Sequence, residues 1–168
     1  MPKKLIDRCQ TDSIREFRLA ARQRFNDGLA LAAAGQRTGA IYMWGYTAEM
    51  TVKAAYFSLI GLAERATITW NSDLQPAIAR GRQMNIFWPK PGEGHNIRAW
   101  TDLLIAVRAL SAATQYPPPF GLELQRRGQR LEYLWRETLR YRKNYAYGYE
   151  MRQAREAAEW LLVNAYAL

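Results

Sequence analysis

The stretch LRYRKNYAYGYEMRQA, residues 139–154, gathers side chains suited to one kind of chemistry. Arg140, Arg142 and Lys143 can hold phosphate, arginine through two parallel hydrogen bonds. Tyr141, Tyr145, Tyr147 and Tyr149 follow on alternating positions. A tyrosine face can stack a nucleobase, worth about 1–3 kcal/mol per base. Its hydroxyl can also donate to phosphate, but a pKa of about 10 makes it a poor base. Histidine, at about 6.5, suits proton transfer near neutrality, and the stretch contains none. It therefore holds binding chemistry better than catalytic chemistry. Two plainer roles compete. Arg140 and Arg142 can stabilise a helix C-terminus, worth about 0.3–1 kcal/mol each. At least one of Tyr145, Tyr147 and Tyr149 is expected to pack beneath the connection with its hydroxyl bonded.

The surrounding charge supports a polyanion. Arg126, Arg127, Arg130, Arg136, Arg140, Arg142 and Lys143 face only Glu132 and Glu137 over 18 residues, which gives over half of the net charge of +9. Such a balance attracts nucleic acid or nucleotides. Lys53 follows Glu49 by four residues, which reads first as an exposed helix pair worth about 0.2–0.5 kcal/mol. The alternative is that Lys53 faces the groove and adds to a phosphate site. His95 is the only histidine, so any imidazole catalysis must use it; beside Asn96 at a helix start, capping or packing is the expected role. One histidine and one cysteine cannot build the usual zinc sites, so neither metal nor cofactor is expected. No G-x-S-x-G nucleophile motif occurs, and GEGHN lacks the context of a phosphate-binding loop.

These residues need elements to position them. A chain of 168 residues, 49% hydrophobic, suits a single folded domain, here 1–168 with an irregular insert at about 64–94. The longest apolar runs fall far short of the roughly 20 residues that cross a bilayer. The opening MPKKLIDRCQ has no apolar h-region, so no secretory signal is expected. Cys9 is alone, so no internal disulfide can form, compatible with a reducing cytoplasm. Ser13 with Glu16 forms a capping-box pattern for a first helix ending near Gly35. Ile41, Trp44, Ala48, Val52, Ala55, Leu59 and Leu62 make one continuous helical stripe. The other side carries Tyr42, Met43, Met50, Tyr56 and Phe57, so this helix is expected to be central or to bury a second face against another subunit. In the insert, TITW reads as a strand stub or loop, NSDLQPAIARGRQM as a short helix with Pro76 early, and FWPKPGEG as an anchored or mobile loop. Asn96 can cap a third helix through Ile97, Trp100, Leu104, Val107 and Leu110. QYPPPFG breaks the chain. A fourth helix follows from about Leu122 to about Tyr141, with Leu124, Leu131, Leu134, Trp135 and Leu139 inward, and a fifth from about Glu150. The alternating tyrosines do not make a strand, because no other convincing strand exists to pair with them. The expectation is an all-α bundle of five or six helices.

Three stretches, in order, resemble HEPN domains. GAIYMWGYTAEMTVKAAYF (39–57) is similar to the family's second helix, with glutamate and lysine four apart. GHNIRAWTDLL (94–104) resembles its His-polar-Leu start of the third helix, with Ile97 in the leucine place. LRYRKNYAYGYEMRQAREAAEWLLV (139–163) resembles its Arg-Tyr segment and alanine-rich last helix. The resemblance implies an up-and-down bundle that homodimerises. It also implies a toxin–antitoxin setting as a metal-independent RNase, often beside a nucleotidyltransferase-type partner protein. The family's catalytic pattern is an arginine, about four to six residues, then histidine; in one branch a tyrosine two residues further on is adenylylated. Here Arg140 leads to Tyr145 and Tyr147, and Arg142 to Tyr147 and Tyr149. Both frames put tyrosine where the RNase has histidine. The expectation is therefore RNA or nucleotide binding with little or no cleavage. The alternatives are an RNase with a degenerate motif using Arg140 or Arg142 with His95, and a protein–protein interaction module.

Overall fold

The computed structural model describes residues 11–89 and 93–168. Cys9, the opening segment and residues 90–92 of the FWPKPGEG loop lie outside the described residues. Six α-helices are present among them, with no strand: α1 Ile14–Ala33, α2 Arg37–Leu59, α3 Gln75–Gln83, α4 Ile97–Arg108, α5 Pro118–Leu134 and α6 Gly148–Val163. None is long and apolar enough to cross a membrane.

Helix starts follow local chemistry. The Ser13 side chain accepts from the Glu16 N–H, and Asn96 from the Ala99 N–H, so two expected caps satisfy otherwise orphaned donors. TITW is not a strand: Thr69 caps a five-residue π turn, Trp70–Leu74, that runs into α3 with Pro76 in its first turn. Gly35, at φ 74°, follows the end of α1, a conformation that glycine adopts without steric cost.

Helix α2 is the axis of the bundle and packs against α1, α4 and α6. Its expected stripe is buried from Ile41 to Ala55, while the helix stops at Leu59, before Leu62. Tyr56 and Phe57 are buried within the chain itself, so they are not free for a second subunit. Trp44, Trp100 and Trp135 are fully buried; a large aromatic contributes about 4–6 kcal/mol of transfer free energy at such a site. In the insert, Trp88 is the apolar anchor, edge-on to Trp100 at 5.3 Å, while Phe87 is exposed.

Two boundaries differ from expectation. The prolines do not merely interrupt: Pro118 and Pro119 open α5, where their missing N–H groups are not needed. Helix α4 stops at Arg108, leaving Leu110 exposed. The expected long fourth helix ends at Leu134. Trp135 and Arg136 are extended, and Glu137–Tyr141 form a separate 3-10 turn. Tertiary packing imposes this break. The Trp135 ring inserts against Gly45 of α2, where an added Cβ would lie 2.0 Å from Cδ1 of the indole. Its Nε1–H donates to the Tyr42 carbonyl at 3.0 Å.

Candidate functional site: a tyrosine–cation junction and a buried acid–histidine pair

The tyrosine-rich stretch becomes a 3-10 turn, an extended link and the start of α6, which begins at Gly148. The link is pinned to the start of α2. Gln36, the N-cap of α2, offers no side-chain bond. Asn144 supplies it from the link: its Oδ1 accepts from the Thr38 N–H at 3.0 Å, and its Nδ2 donates to the Gly35 carbonyl at 2.8 Å. The Thr38 hydroxyl oxygen accepts from the N–H groups of Tyr145 and Ala146 at 2.9 and 3.0 Å. Backbone and Asn144 therefore hold the junction, and its tyrosines do not. Tyr141, Tyr145, Tyr147 and Tyr149 are all exposed, against the expectation that at least one would pack beneath the link. The Tyr147 and Tyr149 rings stack at 5.8 Å and 9°.

An open cleft of about 490 Å³ lies here between α5, the link and the starts of α2 and α6. Arg142, Lys143, Tyr145 and Tyr147 line it, as do Tyr133 and Glu150. Neither Arg142 nor Lys143 forms an ion pair with a described residue. The rest of the expected basic surface is divided. Arg126, Arg127 and Arg130 line a different cleft with Glu123 and Glu156, and Arg127 pairs with Glu123 at 2.5 Å. Arg136 lines a third groove and pairs with Glu132 at 3.1 Å. Arg140 turns toward α2. Its guanidinium carbon lies 4.7 Å over the Tyr141 ring, and its pKa is raised, first by Tyr141 and also by Tyr42.

The second feature corrects two expectations. Glu49 and Lys53 are not an exposed pair: they are 3% and 6% exposed, with Lys53 Nζ 2.5 Å from Glu49 Oε1. Lys53 is thus turned inward and cannot reach a phosphate in the tyrosine cleft. His95 neither caps nor fills a core. Its Nδ1 lies 3.1 and 3.0 Å from the two Glu49 oxygens, and its side chain is 42% exposed. A carboxylate only accepts, so Nδ1 carries the proton and Nε2 is left for another partner. Burial pushes the Glu49 carboxyl up, but Lys53 and His95 together outweigh it and the net shift is downward. The Glu49 hydrogen bond raises the His95 pKa against partial burial.

Tyr42 and Tyr46 link the two features. Tyr46 meets His95 edge-on at 6.3 Å, Trp135 at 5.3 Å and Tyr42 at 5.0 Å. Burial, then the Tyr42 hydrogen bond, raise its pKa, and both Glu49 and Arg140 act on it. Sequence reasoning passes over this arrangement, although a signal exists: Tyr42, Tyr46, Glu49 and Lys53 step by four, three and four along α2, a second inward stripe. Asn144, Tyr133 and Glu150 carry no comparable signal, because a turn or a remote element gives each its role. Among the described residues no cluster of His, Cys, Asp or Glu could hold a metal ion. Neither a protein family, nor a curated protein, nor a solved structure gives a match to this chain.

Proposed function

We propose that this chain is an RNA- or nucleotide-binding helical domain that grips phosphate with Arg142 and Lys143 and bases with the exposed tyrosines. One observation carries the reading. Two cations without ion partners among the described residues, Arg142 and Lys143, and two exposed tyrosines, Tyr145 and Tyr147, share a link fixed to the bundle by Asn144 and Thr38. Large aromatics left in water cost apolar exposure that folding does not require, and a fixed link reduces the ordering that binding must supply. Arg140 extends the cationic surface toward α2. The order of a Glu-Lys second helix, a His-led later helix and an Arg-Tyr junction before the last helix supports a HEPN-like domain. On that reading it acts as a homodimer with a nucleotidyltransferase-type partner in the cytoplasm.

The Glu49–His95 bond favours a second reading, metal-independent RNA cleavage with His95 moving the proton. It ranks second because His95 is not among the residues that line the cleft with Arg142, Lys143 and the tyrosines. Labelled single-stranded RNA incubated without metal and run on native and denaturing gels separates the two. Retarded but intact RNA supports the first reading. Cleavage that disappears in both His95→Ala and an Arg140→Ala, Arg142→Ala double variant supports the second. RNA neither retarded nor cut overturns both and leaves a protein-interaction role.

A further inference from the structure

The tyrosine cleft is lined by charged groups of both signs. Arg142 and Lys143 contribute cations to its lining, and Glu150 of α6 contributes a carboxylate. The lining also includes the apolar residues Ile41, Leu134, Leu139 and Ala146. Tyr133 also lines the cleft and is 84% exposed. A volume of about 490 Å³ falls within the range of small-molecule sites, about 300–1,000 Å³. A simple anion site does not need apolar lining, and a carboxylate in the lining opposes it. An apolar peptide does not need the cations. A nucleotide uses all three: an aromatic base, a phosphate and a hydrogen-bonding edge.

Glu150 decides which base. Its Oε2 accepts from the Tyr147 N–H at 2.8 Å, which fixes the carboxylate at the start of α6. Oε1 has no hydrogen-bond partner among the described residues. An ionised carboxylate has about four lone-pair sites and no donor, so it selects a base edge made of donors. Guanine presents two adjacent donors on its Watson–Crick edge, N1–H and N2–H₂. Adenine presents one donor beside an acceptor, and uracil one donor between two carbonyls. An acceptor-only group pairs with the first and is repelled by the oxygens or lone pairs of the others.

We infer that the cleft is a guanine-selective nucleotide pocket, with the base between Tyr133 and Tyr147, its donor edge on Glu150 and its phosphate on Arg142 and Lys143. This rests on the RNA- or nucleotide-binding reading and narrows it. Substitutions can isolate the base-reading step. Glu150→Gln keeps an oxygen for the Tyr147 N–H but adds a donor to the reading edge and removes the charge. Tyr133 is so exposed that Tyr133→Ala leaves the bundle intact.

The test is fluorescence anisotropy with three nine-nucleotide RNAs: all uridine, and uridine with one central adenosine or guanosine. The wild type is expected to bind the guanosine probe about tenfold more tightly than the other two. Glu150→Gln should lower affinity for the guanosine probe to that for the other two, with circular dichroism unchanged. Tyr133→Ala should weaken all three, with circular dichroism unchanged. Equal wild-type affinity for the three probes, lost in an Arg142→Ala, Lys143→Ala variant, overturns the guanine pocket and leaves the binding reading standing. A guanosine preference that survives Glu150→Gln also overturns it. No binding of any probe overturns both.

Discussion

His95 Nδ1 lies 3.0 Å from Glu49 Oε2 across 46 residues of sequence, and Lys53 Nζ lies 2.5 Å from Oε1 of the same carboxylate. This places a half-exposed imidazole on a buried anion. The bond makes a direct prediction for the ring. In an NMR titration the His95 imidazole should titrate above its ordinary 6.5, and Glu49→Gln should bring the midpoint down. An unchanged midpoint in the variant would mean that the contact does not form in solution.

The same variant should destabilise the fold, because it leaves the Lys53 ammonium buried without its counterion. Loss of one partner of a buried pair costs about 3–5 kcal/mol. Replacing both, Glu49→Leu with Lys53→Met, removes the stranded charge and should restore most of that loss in urea denaturation. A double variant as unstable as Glu49→Gln would show that the pair itself stabilises the bundle.

Stability should depend on pH in two opposite senses. The folded pKa of His95 is raised, so its contribution is complete below about pH 6.5 and is lost as pH rises through the folded value. The folded pKa of Glu49 is lowered, so its contribution is present above about pH 4.5 and is lost as pH falls through the folded value. Thermal melts should therefore weaken at both edges; His95→Ala should flatten the alkaline edge and, because His95 helps to hold the Glu49 carboxyl down, soften the acid edge as well.

Much of the scaffold was legible because local signals coincide with packing. Ser13 and Asn96 cap as their positions imply, and the Ile41–Ala55 stripe is buried. The break after Leu134 was not legible. Leu134, Trp135 and Leu139 have helical spacing, and what ends the helix is the seat for the indole beside Gly45, remote in sequence. Burial of Glu49 and Lys53 was hidden for the same reason: an i, i+4 pair looks alike in water and against Trp100, whose ring lies 5.4 Å from Lys53 Nζ. The junction tyrosines are legible as a cluster, but the Asn144 cap that ties their link to α2 is announced by no local pattern.

That seat yields a further prediction. Gly45→Ala puts a methyl group where the Trp135 ring lies, and overpacking of this kind costs about 1–3 kcal/mol. Chemical denaturation should show the loss, and Trp135→Leu combined with Gly45→Ala should recover part of it.

Removing Asn144 should act at both ends of its bridge. Asn144→Ala uncaps α2, a loss of about 0.5–2 kcal/mol, and frees the link that carries the tyrosines. Hydrogen exchange at the Thr38, Tyr145 and Ala146 amides should accelerate together, ahead of the rest of α2.

The most direct test of phosphate recognition at the junction is the salt dependence of single-stranded RNA binding. Each phosphate neutralised on a single strand contributes about 0.7 to the slope of log affinity against log salt. The account predicts steep weakening with salt in the wild type. In Arg142→Ala, Lys143→Ala the slope should be shallower by about 1.4, two phosphate contacts at that value. Affinity that ignores salt, or a slope unchanged in the double variant, would contradict it.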